Sequence, residues 1–162
     1  MSVVRDALKK VDDLIIVIGS AEDSHTDKNP FTAGERFQML LSSLIPEERK
    51  RVLIIPVRDV NRYSVWVNHI ESYVPPFDIV SANSDLTRSL FRQAGYEVAT
   101  TKVYNPEEYS ATEIRRRIVA GEKWKHLVPQ PVGQMLEALD VKQRLLDAGM
   151  ESPKPRSGCR AR

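Results

Sequence analysis

Two uninterrupted apolar runs, Leu14-Ile15-Ile16-Val17-Ile18 and Val52-Leu53-Ile54-Ile55-Pro56-Val57, constrain the fold of this chain more than any other feature. A strand covered on one face alternates apolar and polar side chains. A run without alternation is the pattern of a parallel strand buried on both faces. Between the two runs the period changes. Thr32 and Glu35 form a capping box that opens a helix to about Leu44, with Phe37, Leu40, Leu41 and Leu44 as its apolar face. The same alternation continues along the chain. Val3, Val4, Ala7, Leu8 and Val11 predict a helix over 2–12. A helix over 64–73 is stopped by Pro75-Pro76, and Ile79 to Ala82 is a short strand. Asn83 or Ser84 caps a helix that runs to Gly95, a C-cap glycine. Glu97 to Tyr104 reads as a strand and 110–120 as a helix ended by Gly121. A last helix from about Val132 to Ala148 carries Met135, Leu136, Leu139, Leu145 and Leu146. Helices alternating with strands predict an α/β fold, a Rossmann-like parallel sheet with helices on both faces. In such sheets ligands bind outside the carboxyl ends of the strands.

The chain's 162 residues suit one domain, taken as residues 1–150. A net charge of +2 is too small to argue for nucleic acid, and its excess sits in 151–162, where Lys154, Arg156, Arg160 and Arg162 face only Glu151. That tail, with Pro153, Pro155 and Gly158, reads as disordered. The single Cys159 permits no disulfide framework and agrees with a reducing cytoplasm. No apolar stretch reaches the ~20 residues of a membrane span. Arg5, Asp6, Lys9 and Lys10 break any signal-peptide core, so no membrane partner is expected.

The most suggestive chemistry lies at Ser110-Ala111-Thr112-Glu113-Ile114-Arg115-Arg116-Arg117. It is a capping box followed by three arginines. A helix start is partly positive, and cations are favoured in the last turn instead, so the arrangement is frustrated unless an anion binds. A bound polyphosphate and a solvated basic helix are both open readings. Polar groups recur where the predicted strands end: Gly19-Ser20 with Ser24-His25, Arg58-Asp59, Asn83 and Ser110. Arg36, in the first turn of its helix, is a second arginine suited to a phosphate or to a surface ion pair. Trp66 is either a stacking platform for an aromatic or pyridinium ring or a core residue. Asp59 and Asn83 are ligand hydrogen-bonding groups or plain turn and cap residues. His25, His69 and His126 lack metal-ligand spacing. His25 is the best placed of the three, and a satisfied structural role is expected for His69. The absence of G-x-G-x-x-G, of G-x-x-x-x-G-K and of a nucleophile elbow argues against dinucleotide dehydrogenase, P-loop and α/β-hydrolase chemistry.

Several blocks taken together resemble the archaeal nicotinamide-nucleotide adenylyltransferases of the nucleotidylyltransferase superfamily. They are Val11 to Ile16 with Ile18-Gly19-Ser20-Ala21, Asn29 to Arg36, Trp66-Val67-Asn68-His69-Ile70, Pro75-Pro76-Phe77-Asp78, Gly95-Tyr96-Glu97-Val98 and Tyr109 to Arg117, in family order over roughly residues 2–140. The resemblance implies transfer of the adenylyl group of ATP to nicotinamide mononucleotide (NMN), giving NAD and pyrophosphate, with Mg²⁺ accompanying ATP. It implies Asn83, Ser110, Thr112 and Arg115 on the ATP side, and Ser20, Asp59 and Trp66 on the NMN side. Arg36 and Arg115 are the implied catalytic groups, with no metal ligand among the site residues. It also implies a homo-oligomer, for which the 132–148 helix face is one candidate surface and a core-facing helix the simpler reading.

One departure from the family is large. Its opening strand and H-x-G-H signature are missing, and Met1-Ser2-Val3-Val4 resembles the helix that follows them. One strand and its loop, about 15–20 residues, are therefore expected upstream of a misassigned start. A truncated remnant and a fragment are the alternatives. The missing strand belongs at the sheet centre, so the strand over 14–18 is expected to lack a neighbour. Two other functions compete: a related transferase with another acceptor, disfavoured by the Trp66 context, and a non-catalytic nucleotide-binding remnant.

Overall fold

The computed structural model describes residues 1–100 and 104–151. β1 (Leu14–Ile18) and β2 (Val52–Pro56) pair in parallel, with Leu14 opposite Val52 and Ile18 opposite Pro56. The Val57 N–H donates to the Ile18 carbonyl at 2.9 Å, so pairing reaches one residue past the ladder. β3 (Ile79–Ser81) and β4 (Glu97–Ala99) form a second parallel pair, Val80 opposite Val98. Helices α2 (Ala33–Ser43) and α5 (Asp85–Gln93) make the two crossovers.

The predicted α/β architecture is present, but its sheet is in two pieces. Among the described residues no ladder joins β1 to β3. Among the described residues β1 pairs with β2 alone. The expected strand over 97–104 is observed as Glu97–Ala99, and positions 101–103 lie outside the described residues, as does 152–162 of the expected tail.

Three apolar clusters hold the elements. In the first, Ile16, Ile18, Val52 and Ile54 point to one face of β1–β2 and meet Phe37, Leu40, Leu41 and Leu44 at α2. Val4 of α1 (Ser2–Leu8) closes the same cluster. On the opposite face α4 (Trp66–Glu71) covers Ile55 and Val57 through Val67 and Ile70. That cover is partial, because Val17 and Leu53 stay 37% and 46% exposed. A third cluster joins Ile118 and Val119 of α7 (Ala111–Ala120) to Leu136 of α8 (Gln130–Ala138) and to Val141 and Leu145 of α9 (Val141–Asp147). Of the apolar residues expected on the last helix, Leu136, Leu145 and Leu146 belong to this core. No helix among the described residues is long and apolar enough to cross a membrane.

Three boundaries differ from expectation. The first helix ends at Leu8 rather than 12, because the Arg51 guanidinium takes the carbonyls of Leu8 at 2.9 Å, Asp12 at 2.6 Å and Val11. These are acceptors that a continuing helix would have used internally. The expected helix 64–73 is a 3₁₀ turn, Tyr63–Val65, followed by α4. The expected single helix 132–148 is broken between α8 and α9. Asp140 there adopts φ +44°, a region that Asp tolerates better than most residues, and its side chain accepts the Gln143 N–H. The signature D-x-x-Q over 140–143 was the available signal. Short helices α3 (Pro46–Arg49) and α6 (Pro106–Tyr109) complete the fold.

Leu145→Ala should cost about 2–5 kcal/mol, because its side chain is fully buried. Leu53→Thr, on the uncovered face, should stay within roughly 0.5 kcal/mol. Urea denaturation of both variants checks the contrast.

Candidate functional site

The carboxyl ends of β1 and β2 are stitched together by the loop that follows β1. The Ala21 N–H donates to the Val57 carbonyl at 3.1 Å. The Ser20 hydroxyl donates to Asp59 Oδ2 at 2.5 Å, and the Asp59 N–H donates to both carboxylate oxygens of Glu22 at 3.0 and 3.1 Å. Ser20 sits at φ +48°, a backbone setting that aims its side chain across to the neighbouring strand end. Two of the residues expected on the NMN side are thus in direct contact.

Arg36, on the first turn of α2, reaches back to the same loop. Its Nη1 donates to the Gly19 carbonyl at 2.9 Å, and its Nη2 donates to the carbonyls of Ser20 at 2.8 Å and Asp23 at 3.3 Å. The Arg36 Nε is buried without a hydrogen bond. Its charge therefore sits directly beneath Ser20, and two of its nitrogens hold loop backbone.

Trp66 begins α4 and packs its ring edge-on against Phe91, centroids 5.8 Å apart, while remaining partly exposed. The core reading therefore holds for the part of the indole against Phe91, and another part meets solvent. One turn on, His69 Nε2 lies 2.8 Å from the Arg58 carbonyl. A carbonyl only accepts, so Nε2 carries the proton. His69 has the satisfied structural role expected of it, and it fixes the backbone next to Asp59.

The second group lies at the start of α7. The Ser110 hydroxyl accepts the Glu113 N–H at 3.2 Å, which is half of the expected capping box. The other half is absent. Glu113 turns its carboxylate to Arg116, at 2.8 and 2.9 Å, and to Arg117, at 2.7 Å, because two guanidinium groups outweigh one amide as partners. Hydrogen bonds from Arg116, then Arg117, pull the Glu113 carboxyl down to about 2. Glu122 adds a second carboxylate to Arg116, at 2.7 and 2.8 Å. Arg115 is left. It reaches Thr112 Oγ1 at 3.5 Å and faces no carboxylate among the described residues. Ser110, Thr112 and Arg115 are thus together at a helix N-terminus. No hydrogen bond among the described residues joins them to Ser20, Asp59 or Trp66.

Asn83 follows β3 with its side chain exposed. The helix cap belongs to Ser84, whose hydroxyl accepts the Thr87 N–H at 3.3 Å. Arg88 Nη1 donates to the Ala82 and Asn83 carbonyls, both at 2.9 Å, and holds that turn. His25 departs from the strand-end group. It lines a cavity of about 340 Å³ with Asp140, Gln143 and Arg144, against α9. Sequence reasoning missed Glu22 and Arg144. Neither belongs to a local motif, since their partners are 37 and 109 positions away. Among the described residues no group of three or more His, Cys, Asp or Glu side chains is placed to hold a metal ion.

Because the folded Glu113 carboxyl is depressed, its ion cluster is complete above the ordinary carboxylate value of 4.5 and disappears as pH falls through about 2. Carboxyl NMR titration should find the Glu113 midpoint near 2, and Glu113→Gln should remove that titration.

The cytidylyltransferase-like family model matches residues 1–117. The nicotinamide-nucleotide adenylyltransferase of Archaeoglobus fulgidus is 47% identical over 150 residues, which is 90% of this chain and 86% of that protein. The enzyme of the same name from Methanococcus aeolicus is 42% identical over 151 residues, 93% and 87% of the two chains. A crystal structure of a bifunctional NMN adenylyltransferase/ADP ribose pyrophosphatase from Francisella tularensis, complexed with AMP and a Mn ion, superposes with a TM-score of 0.70 at 21% identity. It covers 91% of this chain and 46% of that one, and so shares the fold. With its split parallel sheet, its capped arginine helix and these similarities, the chain belongs to the cytidylyltransferase-like family and, within it, to the nicotinamide-nucleotide adenylyltransferases.

Proposed function

We propose that this chain transfers the adenylyl group of ATP to nicotinamide mononucleotide, giving NAD and pyrophosphate. Identity of 47% and 42% to two enzymes of that name, over about nine tenths of the chain, supports the reading. One geometric observation carries it: of the three arginines in α7, two are neutralised by Glu113 and Glu122 while Arg115 faces no carboxylate among the described residues. A free guanidinium at a helix N-terminus suits the oxygens of a triphosphate.

In the reaction a phosphate oxygen of the mononucleotide attacks the α-phosphorus of ATP. That O–P bond forms, the bond from the α-phosphorus to the bridging oxygen breaks, and pyrophosphate leaves with the bonding pair. No protein nucleophile takes part, so the residues supply position and charge. Ser110, Thr112 and Arg115 hold the ATP phosphates and Asn83 the adenylate. Ser20 and Asp59 bind the mononucleotide, and the exposed part of Trp66 stacks on its pyridinium ring. Arg36 brings positive charge to the phosphates from beneath Ser20. Mg²⁺ arrives with the nucleotide, held by phosphate oxygens and water. The reaction is placed in the cytoplasm. A homo-oligomer belongs to the same proposal and is read by sedimentation velocity.

The test is NAD formation from ATP and the mononucleotide with Mg²⁺, by this chain and by one extended upstream at its genomic locus. At least one should be active. Arg115→Ala should then lower kcat/KM by roughly 10²-fold, the usual loss on removing one charge-stabilising donor. Trp66→Ala should raise the KM for the mononucleotide by roughly 3–10-fold, as a lost aromatic contact does. If neither form makes NAD or binds ATP, the proposal is wrong. ATP binding without NAD formation in either form would point to another acceptor or a non-catalytic remnant.

A further inference from the structure

Two distant parts of the chain meet at the Glu35 carboxylate. Its own helix start uses it, since Oε2 accepts the Thr32 N–H at 2.9 Å while the Thr32 hydroxyl accepts the Glu35 N–H at 3.2 Å. From α9, Arg144 Nη1 donates to both oxygens, at 2.8 and 2.7 Å. The Arg144 guanidinium also lies 6.0 Å from the Phe31 ring centroid. The pair is largely shielded, with side chains 19% and 21% exposed. Partial burial alone would raise the Glu35 carboxyl, but the hydrogen bonds from Arg144 and Thr32 outweigh it and hold it below the ordinary range.

The next residue is Arg36, whose guanidinium holds the carbonyls of Gly19, Ser20 and Asp23. Ser20 in turn holds Asp59. Polar contacts thus run from α9 to Glu35 and from Arg36 to the ends of β1 and β2, and they are joined within the first turn of α2, where Glu35 accepts the Thr32 N–H and the Arg36 N–H donates to the Thr32 carbonyl at 3.0 Å. The same α9 packs Val141 and Leu145 against Ile118 and Val119 of α7, the helix whose start carries Arg115.

We propose that Arg144 is a positioning residue that acts through Glu35 and Arg36 to set the Ser20–Asp59 pair for the mononucleotide. The inference rests on the assignment of that pair to the acceptor. It needs no contact between Arg144 and substrate. Removing the charge frees the first turn of α2 to rotate, and Arg36 then loses its hold on the loop.

Arg144→Met, Arg144→Lys, Glu35→Gln and the Met/Gln double variant test this. Glu35→Gln keeps an acceptor for the Thr32 amide, so it breaks the ion pair and spares the cap. In the ligand-free protein, hydrogen exchange at the Ala21 and Asp59 amides should speed up by about tenfold in Arg144→Met and in Glu35→Gln. The double variant should exceed neither single, and Arg144→Lys should recover part of the effect. Exchange at Phe91, in the other cluster, should not change. Titration with the mononucleotide, read by tryptophan fluorescence, should show a matching rise in Kd with ATP affinity unaltered. Wild-type exchange at Ala21 and Asp59 in the single variants overturns the relay, and so does an equal rise at Phe91, which marks general destabilisation. Faster local exchange with unchanged mononucleotide affinity overturns its role in substrate positioning. A wild-type chain that binds no mononucleotide overturns the functional assignment instead, and the exchange data still decide the relay.

Discussion

At the first turn of α2 the Thr32 hydroxyl accepts the Glu35 amide and the Glu35 carboxylate accepts the Thr32 amide. The arrangement around the candidate site is referenced to that turn. Capping orients the helix start, which places Arg36 under the loop after β1. The loop carries Ser20 to Asp59 and thereby closes the ends of two strands that share only five paired positions. Arg144 anchors the turn from the other side, across 109 positions of sequence. A capping box is ordinarily a local device of about 1 kcal/mol. Here the carboxylate of the box is also the acceptor of a shielded ion pair. Removing one partner of such a pair leaves a charge without its counter-ion, which costs more than the cap alone.

The start of α7 solves a related problem in the opposite way. Three consecutive arginines crowd the middle of α7, and only Arg117 reaches the last turn, where the dipole favours a cation. Glu113 gives up the second half of its capping box to bind Arg116 and Arg117, and Glu122 takes the rest of the Arg116 fork. What remains is one guanidinium beside the positive end of a helix. The internal compensation is selective, since Arg116 and Arg117 take carboxylates and Arg115 reaches only Thr112 among the described residues. Charge excess read along the sequence cannot separate these three residues, because their partners differ only in side-chain direction.

The β1 and β2 runs illustrate a constraint that the described residues meet only in part. Fully apolar runs suit burial on both faces. One face is covered by α1 and α2, whereas on the other Val17 and Leu53 remain more than a third exposed, and so does Ile79 of β3. Among the described residues no ladder joins β1 to β3, so the two pairs are held together by helices and side chains rather than by strand hydrogen bonds.

Much was legible locally. Both strand runs, the Thr32–Glu35 box, the Ser110 cap and the Gly121 terminus follow from period and from backbone chemistry within a few residues, and each is present. The break at Asp140 was legible too, but the apolar period of 132–148 runs on through it and masks the cap. Placement of Ser20, Asp59 and Asn83 at strand ends or just beyond them also followed from the order of elements, whereas Ser110 does not follow β4 directly, because α6 stands between them. What sequence could not supply is which side chain takes which partner. The Arg51 hold on the end of α1, the Glu22–Asp59 contact, the turn of Arg36 into the loop and the Arg144–Glu35 pair all join residues at least 13 positions apart. Such contacts depend on how helices and strands pack in three dimensions. By itself the sequence determined the type and order of the elements, because hydrogen bonding and hydrophobic period act locally. Only the tertiary structure decided which arginines of α7 are paired and which carboxylates are already taken, because charges pair by distance in space and not by position along the chain.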